Sequence, residues 1–265
     1  MISIKTIIDC SFHEEIKEGT LKSLGHSDIT LIKVFLPDYE GIVEDLSLFL
    51  DSSEIDRAKR FYKKKDEDSF IICRGLLKIV LSRCIKSDIS KIKIDYHNNK
   101  KPYLPSHPLL FFNVSHSKEY ALIALSNSPI GVDIEHINEN YDFINSLSYI
   151  FNTSEVSYIE NAIDKKFAFY SLWTRKEAFV KALGKGIDND FPKVPCMDGS
   201  HILDISFSET IKNWSIQGFL LTNNYMGAVA YEKKDDNHEA FLVYKMPNKI
   251  EDIMALSYIN SEKIS

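Results

Sequence analysis

The chain has little of what would tie a fold together covalently. Its four cysteines, Cys10, Cys73, Cys84 and Cys196, show no CxxC spacing, so neither a disulfide framework nor a zinc clip is expected and they read as buried or idle thiols. No apolar run approaches the length of a membrane span. The opening stretch Met1–Asp9 meets charge at Lys5 and again at Asp9, too early for a secretory signal, which makes the cytoplasm the expected location. A surplus of basic residues is also missing: 32 Lys and Arg stand against 38 Asp and Glu, a net charge of -6. That balance excludes a general nucleic-acid binder, whose affinity rests on excess cations, so any phosphate site must be local. There is no internal repeat and no low-complexity tract.

Hydrophobic residues make up 44% and charged residues 26%, the profile of a soluble globular protein and not of a disordered or collagen-like one. At 265 residues, one large domain and two of ordinary size are both open. The run from Ile29 to Leu36 predicts a strand ending at Pro37. Asp51-Ser52-Ser53 predicts a helix cap, and behind it Ile55, Ala58, Phe61 and Tyr62 share a face while Arg57, Arg60 and several lysines crowd the other. A cationic run of that kind is either a solvated face or an anion contact. A helix over Ser69 to Ile85 is expected to bury Ile72, Leu76, Ile79, Val80 and Cys84, with Arg74 off the stripe. Ile92 to Ile94 then reads as a strand broken at Asn98 to Pro102, and Leu109 to Asn113 and Tyr120 to Ser126 as paired strands about a turn at Ser115-His116-Ser117.

Beyond Asn127-Ser128-Pro129, the best linker in the chain, the pattern resumes. Asn152 to Glu155 carries a capping box, and a helix from Lys165 to Leu183 stops at Gly184. Ile202 to Phe207, Trp214 to Leu221, Met226 to Tyr231 and Ala240 to Tyr244 follow as strands. The order strand, helices, strands thus occurs on both sides of the linker. The expected class is α+β, with two similar α/β halves, residues 1–127 and 128–265, in a pseudo-twofold arrangement and a site in the cleft between them. Residues 1–28 form an extension with no reading of its own.

Two stretches carry chemistry. In IGVDIE from Ile130 to Glu135, strand alternation puts Asp133 and Glu135 on one face and Val132 and Ile134 on the other. Neighbouring carboxylates repel unless a proton, a basic partner or a divalent cation sits between them. In WTRKEAFVKALGKG from Trp173 to Gly186, Glu177 and Lys181 stand one above the other on a helix. Three carboxylates beside a lysine suit magnesium holding a phosphate. Each fragment alone also reads as a strand with a wet face and a surface salt bridge.

Four ordered blocks, KPY at Lys101 to Tyr103, FNVSHS at Phe112 to Ser117, GVDIE at Gly131 to Glu135 and the run from Trp173 to Gly186, resemble the 4'-phosphopantetheinyl transferases of the Sfp-like class. A looser likeness extends from about Ile29 to the C-terminus, including RFY at Arg60 to Tyr62 and FNTSE at Phe151 to Glu155. The resemblance implies a magnesium-dependent enzyme that moves the phosphopantetheine arm of coenzyme A onto a serine of an apo acyl or peptidyl carrier protein. It also implies that Asp133, Glu135 and Glu177 hold the metal, with manganese as a possible replacement, that Lys181 touches the diphosphate, and that His116, with Ser115 beside it, contacts a phosphate. Glu155 matches a glutamate proposed as the base for the carrier serine. Lys101 and Pro102 match the adenine end, although Lys100 stands where many members have glycine. Arg57 matches one of two basic residues for the 3'-phosphate; Glu54 occupies the other position, leaving Arg60 or Arg74 to substitute. A monomer is implied, meeting an acidic carrier through basic side chains near Lys176 or Arg175, with no nucleic-acid or membrane partner. A magnesium-dependent phosphohydrolase and a degenerate paralogue that only binds coenzyme A or a carrier are the competing readings.

Overall fold

Two five-stranded sheets, each backed by one long helix, dominate the α+β fold. The computed structural model describes residues 6–13, 18–20, 29–186, 190–203, 213–234 and 243–257. The first strands are β1 (Thr6–His13), β2 (Glu18–Thr20) and β3 (Ile29–Phe35), then the short β4 (Asp95–Tyr96) and β5 (Pro102–Tyr103). They are followed by β6 (Phe111–Ser117), β7 (Tyr120–Ser126), β8 (Ile130–His136), β9 (Gly199–Leu203), β10 (Asn213–Thr222), β11 (Tyr225–Glu232) and β12 (Val243–Lys245). The helices are α1 (Val43–Ser47), α2 (Ser52–Ala58), α3 (Lys64–Ile85), α4 (Leu147–Ile150), α5 (Thr153–Asn161), α6 (Lys165–Leu183) and α7 (Ile250–Leu256). Among them none is long and apolar enough to cross a membrane.

The same path is traced twice. Strand β3, helix α3 and the hairpin β6–β7 give the neighbour order β3-β7-β6; strand β8, helix α6 and the hairpin β10–β11 give β8-β11-β10. In both, the first strand lies antiparallel to the second strand of the hairpin. The chain ends depart from the expected division at residue 128. Strand β1 joins the sheet of the later half, parallel to β10, whereas β12 joins the sheet of the earlier half, parallel to β3. Helix α7 follows it, and Ile253 and Leu256 sit in the core around α3.

Face alternation explains the layering. From β7, Ala121, Ile123 and Leu125 point to the α3 core, while Leu122 and Ala124 point to a second cluster with Ile130, Val132, Ile134 and Phe219 of the other sheet. Helix α6 then covers a further face through Ala178, Phe179 and Ala182 against Trp214, Ile216, Ala228 and Ala230. Wherever two faces of a strand meet different cores, a slip by one residue would invert both, so the register is tightly specified.

Several local expectations need correction. Helix α2 ends at Ala58, and Phe61 and Tyr62 lie beyond it, exposed. Helix α3 starts at Lys64, well before Ser69; Arg74 is buried in it and Cys84 is the exposed cysteine. No strand forms over Ile92 to Ile94, the short pairing instead beginning at Asp95. Ser115, His116 and Ser117 are not a turn but the last residues of β6, the reversal falling at Lys118 and Glu119. Parts of the strands expected at Ile202 to Phe207 and Ala240 to Tyr244 lie outside the described residues.

Candidate active site

Strands β6 and β8 meet without a backbone ladder, joined by side chains from one face of β6. Asn113 Oδ1 accepts from the Val132 N–H at 2.9 Å, and Ser117 Oγ accepts from the His136 N–H at 3.1 Å. Between them Ser115 Oγ donates to Asp133 Oδ1 at 2.9 Å, and Ser117 Oγ donates to Glu135 Oε2 at 3.1 Å. Residues two apart on β6 therefore meet residues on β8, which is why three polar side chains with period two occur inside a strand. Only this alternation flags Asn113 and Ser117 as site residues.

Helix α6 brings the third carboxylate and the lysine. Gly131 lets it come close: a Cβ there would lie 2.1 Å from the Ala178 carbonyl oxygen and 2.3 Å from the Ala182 nitrogen. The helix stops where expected, with Gly184 at φ 70° and the Lys185 N–H closing back on the Val180 carbonyl. Lys181 Nζ donates to Asp133 Oδ1 at 2.5 Å and to Ser115 Oγ at 3.0 Å. Its ion pair is thus with Asp133 across the junction, not along the helix with Glu177.

The electrostatics are those of crowded carboxylates. Burial, then Asp133, pushes Glu135 above its ordinary value, against hydrogen bonds from Ser117 and Trp173. Trp173 Nε1 lies 3.5 Å from Glu135 Oε1, at the limit of a hydrogen bond, so Trp173 reaches this site as well as packing against Phe169 and Phe191. Burial raises Glu177 from 4.5 to about 7, with Asp133 and Glu135 adding to the rise and Lys181 opposing it. Asp133 Oδ2 is buried with no hydrogen-bond partner. Among the described residues no three His, Cys, Asp or Glu side chains are drawn together as a formed metal cluster.

The Glu177 shift has a testable sign. An acid whose folded value exceeds its unfolded one binds more protons when folded, so stability falls as pH rises between the two values. In EDTA, wild type should lose stability relative to Glu177→Gln as pH rises from 4.5 to about 7, with the gap constant above that range. Urea unfolding of both proteins at a series of pH values measures it; a gap independent of pH sinks the assignment.

His116 points to the opposite face of β6 from Ser115 and keeps much of its surface open. Crowding around its ring, then the Lys181 ammonium, pushes it below its ordinary value, while Asp66 pulls the other way. Exposed Lys59, Arg60, Lys63 and Lys65 precede helix α3 or open it.

The remaining expected residues fall in two places. Arg57 and Arg74 converge on Tyr96, whose hydroxyl oxygen accepts from both at 2.7 and 2.5 Å, and both guanidinium groups lie over the Phe70 ring at 5.1 and 5.6 Å. Glu54 is buried beside them, bonded to Lys78 at 2.9 Å and 3.6 Å from Arg74. Lys101, Pro102 and Tyr103 line a cavity of about 620 Å³ with Leu183 and Trp214. The Lys101 ammonium donates to the Ile130 and Ala182 carbonyls, at 3.2 and 2.5 Å, and burial lowers it to about 8. It ties α6 to β8. Lys100, in the glycine-rich position of the resemblance, takes φ 65°, the left-handed conformation a glycine would adopt freely.

Three of the expected residues are buried. Glu155, expected as the base, is 1% exposed and both its oxygens are occupied. Arg175 and Lys176, expected to meet a carrier, are 2% and 0% exposed and face the 191–198 segment.

The chain is similar to known proteins. Residues 129–230 match the family model described as 4'-phosphopantetheinyl transferase superfamily, and residues 39–128 match 4'-phosphopantetheinyl transferase, N-terminal. The chain is 32% identical over 166 residues to the 4'-phosphopantetheinyl transferase HetI of a Nostoc species, covering 60% of this chain and 70% of that one. It is 30% identical over 141 residues to the 4'-phosphopantetheinyl transferase Sfp of Bacillus subtilis, covering 52% and 62%. To the 4'-phosphopantetheinyl transferase pptA of Paxillus involutus it is 25% identical over 213 residues, covering 69% and 78%.

Proposed function

The chain belongs to the 4'-phosphopantetheinyl transferase superfamily, and from that membership we propose that it loads an apo acyl or peptidyl carrier protein from coenzyme A. The carrier serine oxygen forms a bond to the phosphorus nearer the pantetheine, the serine proton passes to a base, and the bridging oxygen leaves with adenosine 3',5'-bisphosphate. The observation that supports this most is Lys181 Nζ, held between Ser115 Oγ and Asp133 Oδ1 where strand β8, strand β6 and helix α6 converge.

The residues fit a hard divalent cation. All candidate ligands are carboxylates, which favour magnesium or manganese over zinc; Asp133 Oδ2 is buried and unpartnered, and desolvation with mutual repulsion raises Glu135 and Glu177. Asp133, Glu135 and Glu177 would hold it. When bound, it supplies neutralisation of the charge that builds on the diphosphate. The Lys181 ammonium presents donors to the same anion, and Ser115 orients both Lys181 and Asp133. His116, held below its ordinary value by burial and the Lys181 ammonium, presents its ring nitrogens at the open side. Arg57 and Arg74 at Tyr96 bind the 3'-phosphate, and the cavity beside Pro102 takes the adenine.

We take the chain to act as a cytoplasmic monomer, because one chain supplies both sides of the junction. With Arg175 and Lys176 buried, an acidic carrier has the exposed cations between Lys59 and Lys65 to meet. Incubation with coenzyme A, magnesium and apo carriers, read by mass spectrometry, is expected to show the carrier gaining phosphopantetheine. Exhaustive EDTA should abolish the gain and added magnesium restore it. Coenzyme A cleaved with the carrier left bare would instead mark a hydrolase, and neither product a binding protein.

A further inference from the structure

Glu155 receives four donors. Its Oε2 accepts from the Asn152 N–H at 3.1 Å and Lys176 Nζ at 2.9 Å; its Oε1 accepts from the Cys196 N–H at 3.1 Å and Cys196 Sγ at 3.2 Å. The first of these closes the capping box of α5, so one carboxylate joins the start of α5, helix α6 and the segment around Cys196. No lone pair is left facing solvent for a carrier hydroxyl.

Lys176 is equally enclosed. Its Nζ also donates to the carbonyls of Phe191, Pro192 and Val194 and lies over the rings of Phe151 and Phe191 at 5.5 and 5.9 Å. Glu155 is the carboxylate paired with that ammonium, and an unpaired charge buried this deeply would cost far more than an exposed one. The preceding residue reinforces the anchor, since Arg175 donates to the Cys196 carbonyl at 2.8 Å and pairs with Asp198 at 2.7 Å.

The next residue along α6 is Glu177. Successive helical residues are turned by about 100°, so anchoring Arg175 and Lys176 on one side sets the rotation at which Glu177, and Lys181 one turn on, face Asp133. We propose that Glu155 is a positioning residue: by pairing with buried Lys176 it holds the rotation of α6 that presents Glu177 and Lys181 to the site. This rests on the transfer reading above and removes Glu155 from the proton path.

The test compares three variants of the full chain, Glu155→Gln, Lys176→Met and Glu155→Leu/Lys176→Met, read by transfer at varied pH and magnesium and by binding of Mn2+ with coenzyme A, without carrier, by electron paramagnetic resonance. Each single change should weaken Mn2+ binding about tenfold, the order lost when an outer support of a metal site is removed, with the pH profile unchanged. The double change, which leaves no unpaired buried charge, should recover at least half of the lost affinity and fold even where a single variant does not. A folded Glu155→Gln with wild-type Mn2+ affinity overturns the proposal. So does loss of the acidic limb of the rate profile with Mn2+ binding intact, which identifies a base, and so does a double variant no better than the worse single. If wild type transfers nothing, the functional reading fails; Mn2+ binding still reports on the anchor.

Discussion

Lys181→Ala is expected to lower the transfer rate about 10²- to 10³-fold, the loss that follows removal of one preorganised donor from a developing anion. Added magnesium should not restore it. The geometry adds a second expectation with the opposite sign for the metal. Lys181 Nζ stands 2.5 Å from Asp133 Oδ1, so a cation binding at Asp133 must compete with an ammonium already there. Removing the ammonium should therefore leave the metal requirement unchanged or lower it, whereas Glu177→Gln, which deletes a carboxylate oxygen, should raise it and be partly rescued by excess magnesium. Titrating transfer against magnesium for wild type and both variants separates the cases. Two folded variants with wild-type curves would remove Lys181 and Glu177 from the site, since an ordinary surface pair contributes at most about 1 kcal/mol.

Much of this site was legible because local rules carry it. Strand alternation placed Asp133 and Glu135 on one face, helix period placed Glu177 with Lys181, and a glycine in the left-handed conformation stopped α6 at Gly184. What the sequence did not show is what distant pairing decides. Ser115, His116 and Ser117 look like a turn because they are polar, yet they continue the β6 ladder with β7, and the Ser115 and Ser117 side chains find Asp133, Glu135 and the backbone of β8, 18 or 19 residues on. Arg74 reads as a solvent residue and is buried because Glu54, Tyr96 and Phe70 surround it. Lys176 and Glu155 are charged and would be assigned to the surface on composition alone, but each supplies the other's counter-charge. The exchange of β1 and β12 between sheets had no local signal at all, since a short alternating run can pair beside β3 or beside β10.

Gly131→Ala is the change with the largest expected effect on the whole arrangement. The added carbon would sit 2.1 Å from the Ala178 oxygen, 2.3 Å from the Ala182 nitrogen and 2.9 Å from the Ala182 Cα, all backbone of α6. Backbone cannot rotate aside as a side chain can, so the helix must lift from β8 or the strand must bend. Overpacking of this kind typically costs 1 to 3 kcal/mol, and with no soft neighbour about 3 kcal/mol or more is expected here. For a chain of this size that corresponds to a fall in Tm of roughly 6 to 12 °C. Lys181 lies inside the stretch bounded by the two clashing residues, so any lift also draws Nζ from Asp133 and Ser115, and a displacement of about 1 Å should reduce turnover about 10²-fold in the molecules that remain folded. Gly41→Ala is the control, because nothing lies within 4 Å of a Cβ there. Differential scanning calorimetry and transfer rates at a temperature where both variants are folded give the comparison. A Gly131→Ala protein as stable and as active as the Gly41→Ala control would mean that α6 does not rest on β8 at this point, and the placement of Lys181 against Asp133 would lose its structural cause.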